Sequence, residues 1–169
     1  MDASDLKKFF RSIDSVLPEY SGLMKDAARD VKLPWQFIAA VAYQESHWDE
    51  KAVSFTGATG LMQLTAQTAV HLGVDNREDP EQSIDAGARY LAELFKRTST
   101  KAPLFDRMAL TLASYNLGWG HVLNLQKVAK EKGMDPTRWN SIQTLLPHLT
   151  SDEYKIRFNN RGARGAEAH

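Results

Sequence analysis

PWQFIAAVAYQESHW, residues 34–48, reads as a buried helix carrying a carboxylate on its apolar side. Phe37, Ile38 and Val41 recur at helical spacing, and Glu45 takes the next place on the stripe, four residues after Val41 and seven after Ile38. Helix geometry turns its side chain toward the core. Pro34 suits the first helical position. Glu45 falls near the helix C-terminus, where the macrodipole presents partial negative charge. That field and the apolar surroundings both disfavour the anion and raise the pKa toward the range a general acid needs near neutrality. The ordinary alternative is a helix-end glutamate paired with an arginine or turned to solvent, because ion-pair networks also place carboxylates there.

Outward from this helix, the 3.6-residue period recurs. Leu6, Phe9, Phe10 and Ile13 mark one amphipathic segment, and Leu23, Met24, Ala27, Ala28 and Val31 mark a second. DPEQSIDAGARYLAELFKR, residues 79–97, carries the sharpest helix signal. Asp79 is a good N-cap, Pro80 fits the first helical position, and Gln82 stands where a capping box needs it. Its apolar face is Ile84, Ala88, Leu91, Leu94 and Phe95. A further helix is expected through Met108, Ala109, Leu112, Ala113 and Asn116, punctuated by Gly118 and Gly120, and another through Val122, Leu125, Val128 and Ala129. Short helical pieces follow around 142–149 and 154–158. The irregular stretch is AVSFTGATGLMQLT, residues 52–65. The fold class expected is mainly α, a compact helical domain with at most a small β element near 52–65.

The 169 residues suit one domain with a sizeable core, and 43% hydrophobic with 25% charged residues is ordinary globular composition. Twenty-one basic residues balance 21 acidic ones, which leaves no basic footprint for nucleic acid or an anionic membrane surface. With no cysteine, disulfides, thiolate zinc sites and a cysteine nucleophile are excluded. MDASDLKKFF lacks the apolar stretch of a secretory signal, and no segment approaches a membrane-spanning length.

Most glycoside hydrolases flank the scissile bond with two carboxylates. No Asp or Glu stands between residues 51 and 74; Asp49 and Glu50 follow the helix end, and the acids from Asp75 to Asp85 look like turn, cap and surface residues. If Glu45 is catalytic, it therefore acts as both acid and base, and the substrate supplies the nucleophile. The five histidines, His47, His71, His121, His148 and His169, show no metal-ligand spacing, and no GxSxG, Walker or GxGxxG motif occurs. His47 and Trp48 read as a helix-end packing pair. In GATGLMQLT, two glycines allow close backbone approach, while Met62 and Gln63 offer a soft apolar surface and an amide, a combination suited to a saccharide. The plainer reading is a tight turn whose Met and Leu are core. In ASYNLGWG, Tyr115 and Asn116 close a helix where polar tips can reach a cleft; a buried Tyr and a near-cap Asn is the plainer alternative.

ESHWDEKAVSFTGATGLMQLTAQTA (45–69), DPEQSIDAGARYLAEL (79–94) and ALTLASYNLGWGHV (109–122) together resemble, in order and spacing, the lytic transglycosylase SLT domain, which has a goose-type-lysozyme-like fold. AYQESHW, the GARYL segment, GMDPTRWNSIQTLLPHL (133–149) and the terminal RGARGAEAH (161–169) resemble the membrane-bound lytic murein transglycosylase F branch. The resemblance implies cleavage of the β-1,4 bond between N-acetylmuramic acid and N-acetylglucosamine. Glu45 would be the catalytic acid and then base, and the sugar's own C6 hydroxyl would close a 1,6-anhydro ring. It further implies that Ser54 and Gln63 hold substrate, that Met62 lines the cleft, and that Tyr115 and Asn116 assist orientation and proton control. No cofactor or metal is expected. The implied partner is the peptidoglycan glycan strand and not nucleic acid, with the protein a periplasmic monomer. Outer-membrane association would come only through a part absent from this chain.

Three departures stand out. The branch places a ligand-binding-like domain ahead of this one, and its members continue past the RGARG segment into a helix beginning with a Tyr-Val pair; this chain starts at Met1 and stops at His169. Residues 1–169 are thus expected to be a single catalytic domain from a longer protein, with the cleft weakened on one side if that tyrosine completes it. Gln63 follows the general SLT pattern where the branch varies. The alternatives are a hydrolytic muramidase of the same fold, which needs Asp49, Asp75 or Asp79 to position water, and a catalytically silent glycan-binding module, which has no use for an acid on an apolar face.

Overall fold

Helical periodicity accounts for nearly all of the architecture in the computed structural model, which describes residues 3–158; the reading of residues 161–169 lies outside them. In chain order the elements are α1 (Ala3–Ser15), α2 (Leu17–Val31), α3 (Trp35–Ser46), α4 (Ala66–Leu72), α5 (Pro80–Arg97), α6 (Leu104–Leu117), α7 (Trp119–Glu131) and α8 (Trp139–Leu145). A 3₁₀ turn (Leu146–Thr150) and α9 (Asp152–Phe158) follow. Among the described residues there is no sheet. The expected β element is two isolated antiparallel bridges, Val53 with Thr59 and Thr59 with Leu64. The mainly α class is as the sequence predicts. No helix among these residues is long and apolar enough to cross a membrane.

Helix ends follow local chemistry. Asp79 caps α5, its carboxylate accepting from the Gln82 amide at 2.8 Å. Gln82 does not complete a reciprocal box: its side-chain oxygen instead accepts from the backbone N–H groups of Asp75 and Asn76, at 3.1 and 3.2 Å. Pro34 lies one position earlier than expected, as the N-cap of α3 in extended backbone, where its carbonyl accepts from Phe37 and Ile38. Helix α4 has too few residues for periodicity to reveal it. It is defined by its caps, the Thr65 hydroxyl accepting from Thr68 N at 3.1 Å and Gly73 ending it.

The described chain divides into two compact units, one running through Ala92 and the other from Glu93 onward. In the first, Met24, Ile38, Ala42, Leu61, Met62, Leu64, Ile84 and Leu91 are completely or almost completely buried. In the second, Leu110, Ala113, Val122, Leu125, Ala129, Ile142, Leu145 and Tyr154 form the core. The apolar face of α6 is rotated from the expected one. Leu112 and Asn116 are exposed, whereas Thr111 and Ser114 are fully buried. Their hydroxyls are satisfied by the carbonyls four residues earlier, Arg107 at 2.8 Å and Leu110 at 2.6 Å. A hydroxyl that bonds back to its own helix can enter a core, and apolar periodicity alone does not detect it.

Candidate active site

Glu45 is the penultimate residue of α3. It is half-buried, and burial pushes its carboxyl from an ordinary 4.5 to about 7. The helix then stops abruptly. His47 and Trp48 both take left-handed backbone, at φ +54° and +62°. For residues with a side chain that conformation costs about 1–2 kcal/mol each. Burial of the Trp48 ring offsets it: the ring is 3% exposed, packs on Tyr43 at 4.8 Å, and its Nε1–H donates to the Ala39 carbonyl at 2.9 Å. Trp48 is thus the helix-end packing residue expected. His47 is exposed, with its ring against the edge of Tyr43.

Ser46, between the acid and this reversal, was not singled out in the sequence. Its buried hydroxyl lies 3.0 Å from the Ala42 carbonyl and 2.9 Å from the Leu61 carbonyl, so it can donate within α3 or across to the glycine loop. The loop is further closed by Gly60 N to Ala52 O at 2.9 Å and by Thr59 and Leu64 exchanging backbone bonds at 3.2 and 3.1 Å. Gly60 has φ +82°, and a Cβ there would stand 1.9 Å from the Arg77 carbonyl oxygen, so the close approach requires glycine.

The loop residues expected to meet substrate fall in different places. Ser54 organises the turn: its hydroxyl accepts from Ala58 N at 2.9 Å and lies 3.1 Å from the Thr56 hydroxyl. Gln63 is 5% exposed in left-handed backbone, and its amide nitrogen donates to the Ala52 and Gly60 carbonyls, both at 3.0 Å. Its N–H donors therefore shape the loop. Met62 corrects the expectation of a cleft-lining side chain. It has no accessible surface, and a Cβ on Gly87 of α5 would come within 2.6 Å of its side-chain carbons. Met62 is the packed floor beneath the loop. In the second unit, Tyr115 is buried and Asn116 exposed on the last turn of α6, ahead of Gly118.

Other acids near Glu45 in sequence cap, pair or face solvent. Asp49 accepts from Lys51 N at 2.9 Å, Asp79 caps α5, and Glu50 accepts from the Tyr20 hydroxyl at 3.3 Å. Asp75 is exposed. In the second unit the buried Asp106 accepts from the first amide of α8, Trp139 N, at 2.7 Å and pairs with Arg138 at 3.3 Å. Glu45 is set apart by burial that raises its pKa, the environment of a proton donor near neutral pH.

The chain that carries this half-buried acid and glycine loop matches the Transglycosylase SLT domain over residues 22–137. The chain belongs to that family. It is 44% identical to the membrane-bound lytic murein transglycosylase F of Shewanella loihica, over 99% of this chain and 35% of that protein. The proteins of the same name from Desulfosudis oleivorans and Serratia proteamaculans are 47% and 42% identical, over 99% of this chain and 37% and 34% of their own lengths. The chain thus spans about a third of the length of the curated relatives it matches.

Proposed function

We propose that residues 1–169 act as one catalytic domain, a peptidoglycan lytic transglycosylase that cleaves the β-1,4 bond between N-acetylmuramic acid and N-acetylglucosamine without water. One observation carries this reading: in an SLT domain, Glu45 is a half-buried carboxyl raised to about 7, while the acids around it cap, pair or face solvent. Protonated Glu45 gives its proton to the glycosidic oxygen as the C1–O4 bond breaks. The resulting carboxylate then accepts the proton of the muramoyl C6 hydroxyl as that oxygen bonds to C1. The acid is regenerated and the product ends in a 1,6-anhydro ring.

In this reading Ser54 and Gln63 present the loop to the glycan and Met62 supports it from below. Orientation by Tyr115 and Asn116 rests on the SYN motif alone. The names of the relatives place them at membranes and on murein, which supports a periplasmic setting here with the glycan strand as partner. The test is clearing of purified sacculi by the wild type and by Glu45→Gln. The amide is nearly isosteric but has no acidic proton to deliver, so turnover is expected to fall by about 10²–10⁴-fold with the fold intact. Substantial residual clearing would refute the role of Glu45.

A further inference from the structure

The segment VDNREDP, residues 74–80, connects α4 to α5 and has no part in the chemistry above. Arg77 lies in it, half-buried. A single nitrogen of its guanidinium, Nη1, donates to two carbonyls of the glycine loop, Gly57 O at 2.8 Å and Leu64 O at 3.0 Å. These carbonyls flank the turn containing Ala58, Thr59, Gly60, Leu61, Met62 and Gln63. The backbone of Arg77 meets the same turn, since its own carbonyl oxygen occupies the space a Cβ on Gly60 would need. The loop is therefore gripped by the side chain and main chain of one residue.

That residue is itself held from α5. Gln82 accepts from the amides of Asp75 and Asn76, the Asn76 side chain accepts from Glu78 N at 3.1 Å, and Asp79 caps the helix. The connection is fixed on both sides of Arg77. An arginine set on two backbone carbonyls is suited to fixing a shape: its charge persists at every working pH and its planar fork has few ways to rearrange.

We infer that Arg77 is a positioning residue that holds the loop carrying Ser54 and Gln63 in the shape that receives the glycan. The inference rests on the functional reading above, because it takes that loop as the substrate-facing one. Its action is on binding and not on proton transfer. Loss of the clamp should raise KM, leave kcat nearly unchanged, and leave the pH dependence of kcat where Glu45 sets it.

The experiment uses Arg77→Met, which keeps the stem and removes the donors, and Arg77→Lys, whose ammonium can still reach carbonyls. Both are assayed on soluble glycan strands of defined length, alongside hydrogen exchange of the Thr59 and Leu64 amides. Arg77→Met is expected to raise KM by roughly tenfold with kcat within about threefold, to keep the pH midpoint, and to expose both amides; Arg77→Lys should recover part of each effect. An unchanged KM, or a fall in kcat alone, would overturn the proposal. If Arg77→Met does not fold, Arg77→Lys decides by the same measures. If the wild type cleaves no glycan, the exchange data still judge the clamp: lost protection upholds it and leaves only the functional reading refuted, while unchanged protection overturns it.

Discussion

Glu45 combines the two properties a proton donor needs, partial burial and a pKa near 7. In the proposed mechanism the first step requires the protonated carboxyl, whose population falls as pH rises through about 7. The kcat/KM profile should therefore be high on the acid side and decline with a midpoint near that value, measured on sacculi across pH 5 to 9, a span of roughly two units either side. The same shift has a consequence for stability. Between 4.5 and about 7 the folded state binds a proton that the unfolded state has released. Stability is thus fully present below 4.5 and is lost as pH rises through about 7. Glu45→Gln removes this penalty. Its Tm should match the wild type near pH 4 and exceed it by about 2–4 °C near pH 8 in thermal scans. Equal Tm values at both pH values would mean that Glu45 is not desolvated.

At the scale of elements, the α3 end and the glycine loop form one assembly. Ser46→Ala strips the buried Leu61 carbonyl of its donor from α3 and should destabilise by about 1–3 kcal/mol in urea unfolding, with KM rising as the loop loosens. Gly60→Ala is harsher, because the strained φ coincides with a 1.9 Å clash against the Arg77 carbonyl; a loss of at least about 2 kcal/mol is expected. Helices α3 and α5 were legible in the sequence because their apolar residues hold the 3.6 period for several turns and proline or aspartate marks the start. Helix α4 was not, being seven residues long and exposed at Val70 and His71. The loop residues were legible as a group, but not their individual placements. That Met62 would be floor and the Gln63 amide a loop brace depends on Gly87, Ala52 and Gly60, contacts made through folding that no local pattern announces. Ser46 and Arg77 were invisible for the same reason: their partners are carbonyls, and carbonyls carry no sequence identity.

Across the described residues, the exposed ion pairs within single helices have little influence on stability. The pairs Arg29–Asp26, Arg89–Asp85 and Arg97–Glu93 are solvent-exposed neighbours on single helices, each contributing at most about 0.5 kcal/mol. Asp106 is the exception. Asp106→Ala leaves the first amide of α8 without its buried acceptor and Arg138 without its carboxylate, and should cost about 2–4 kcal/mol in urea unfolding while leaving the pH midpoint of cleavage unchanged. A shift in that midpoint would mean that the chemistry is not confined to one acid. The most direct measurement of that central claim is the mass of soluble products released from purified sacculi. Single-acid chemistry predicts muropeptides lighter by one water, about 18 Da, than reducing-end products, because the C6 hydroxyl replaces water as nucleophile. Fully hydrated products would contradict it and mean that a second carboxylate positions water.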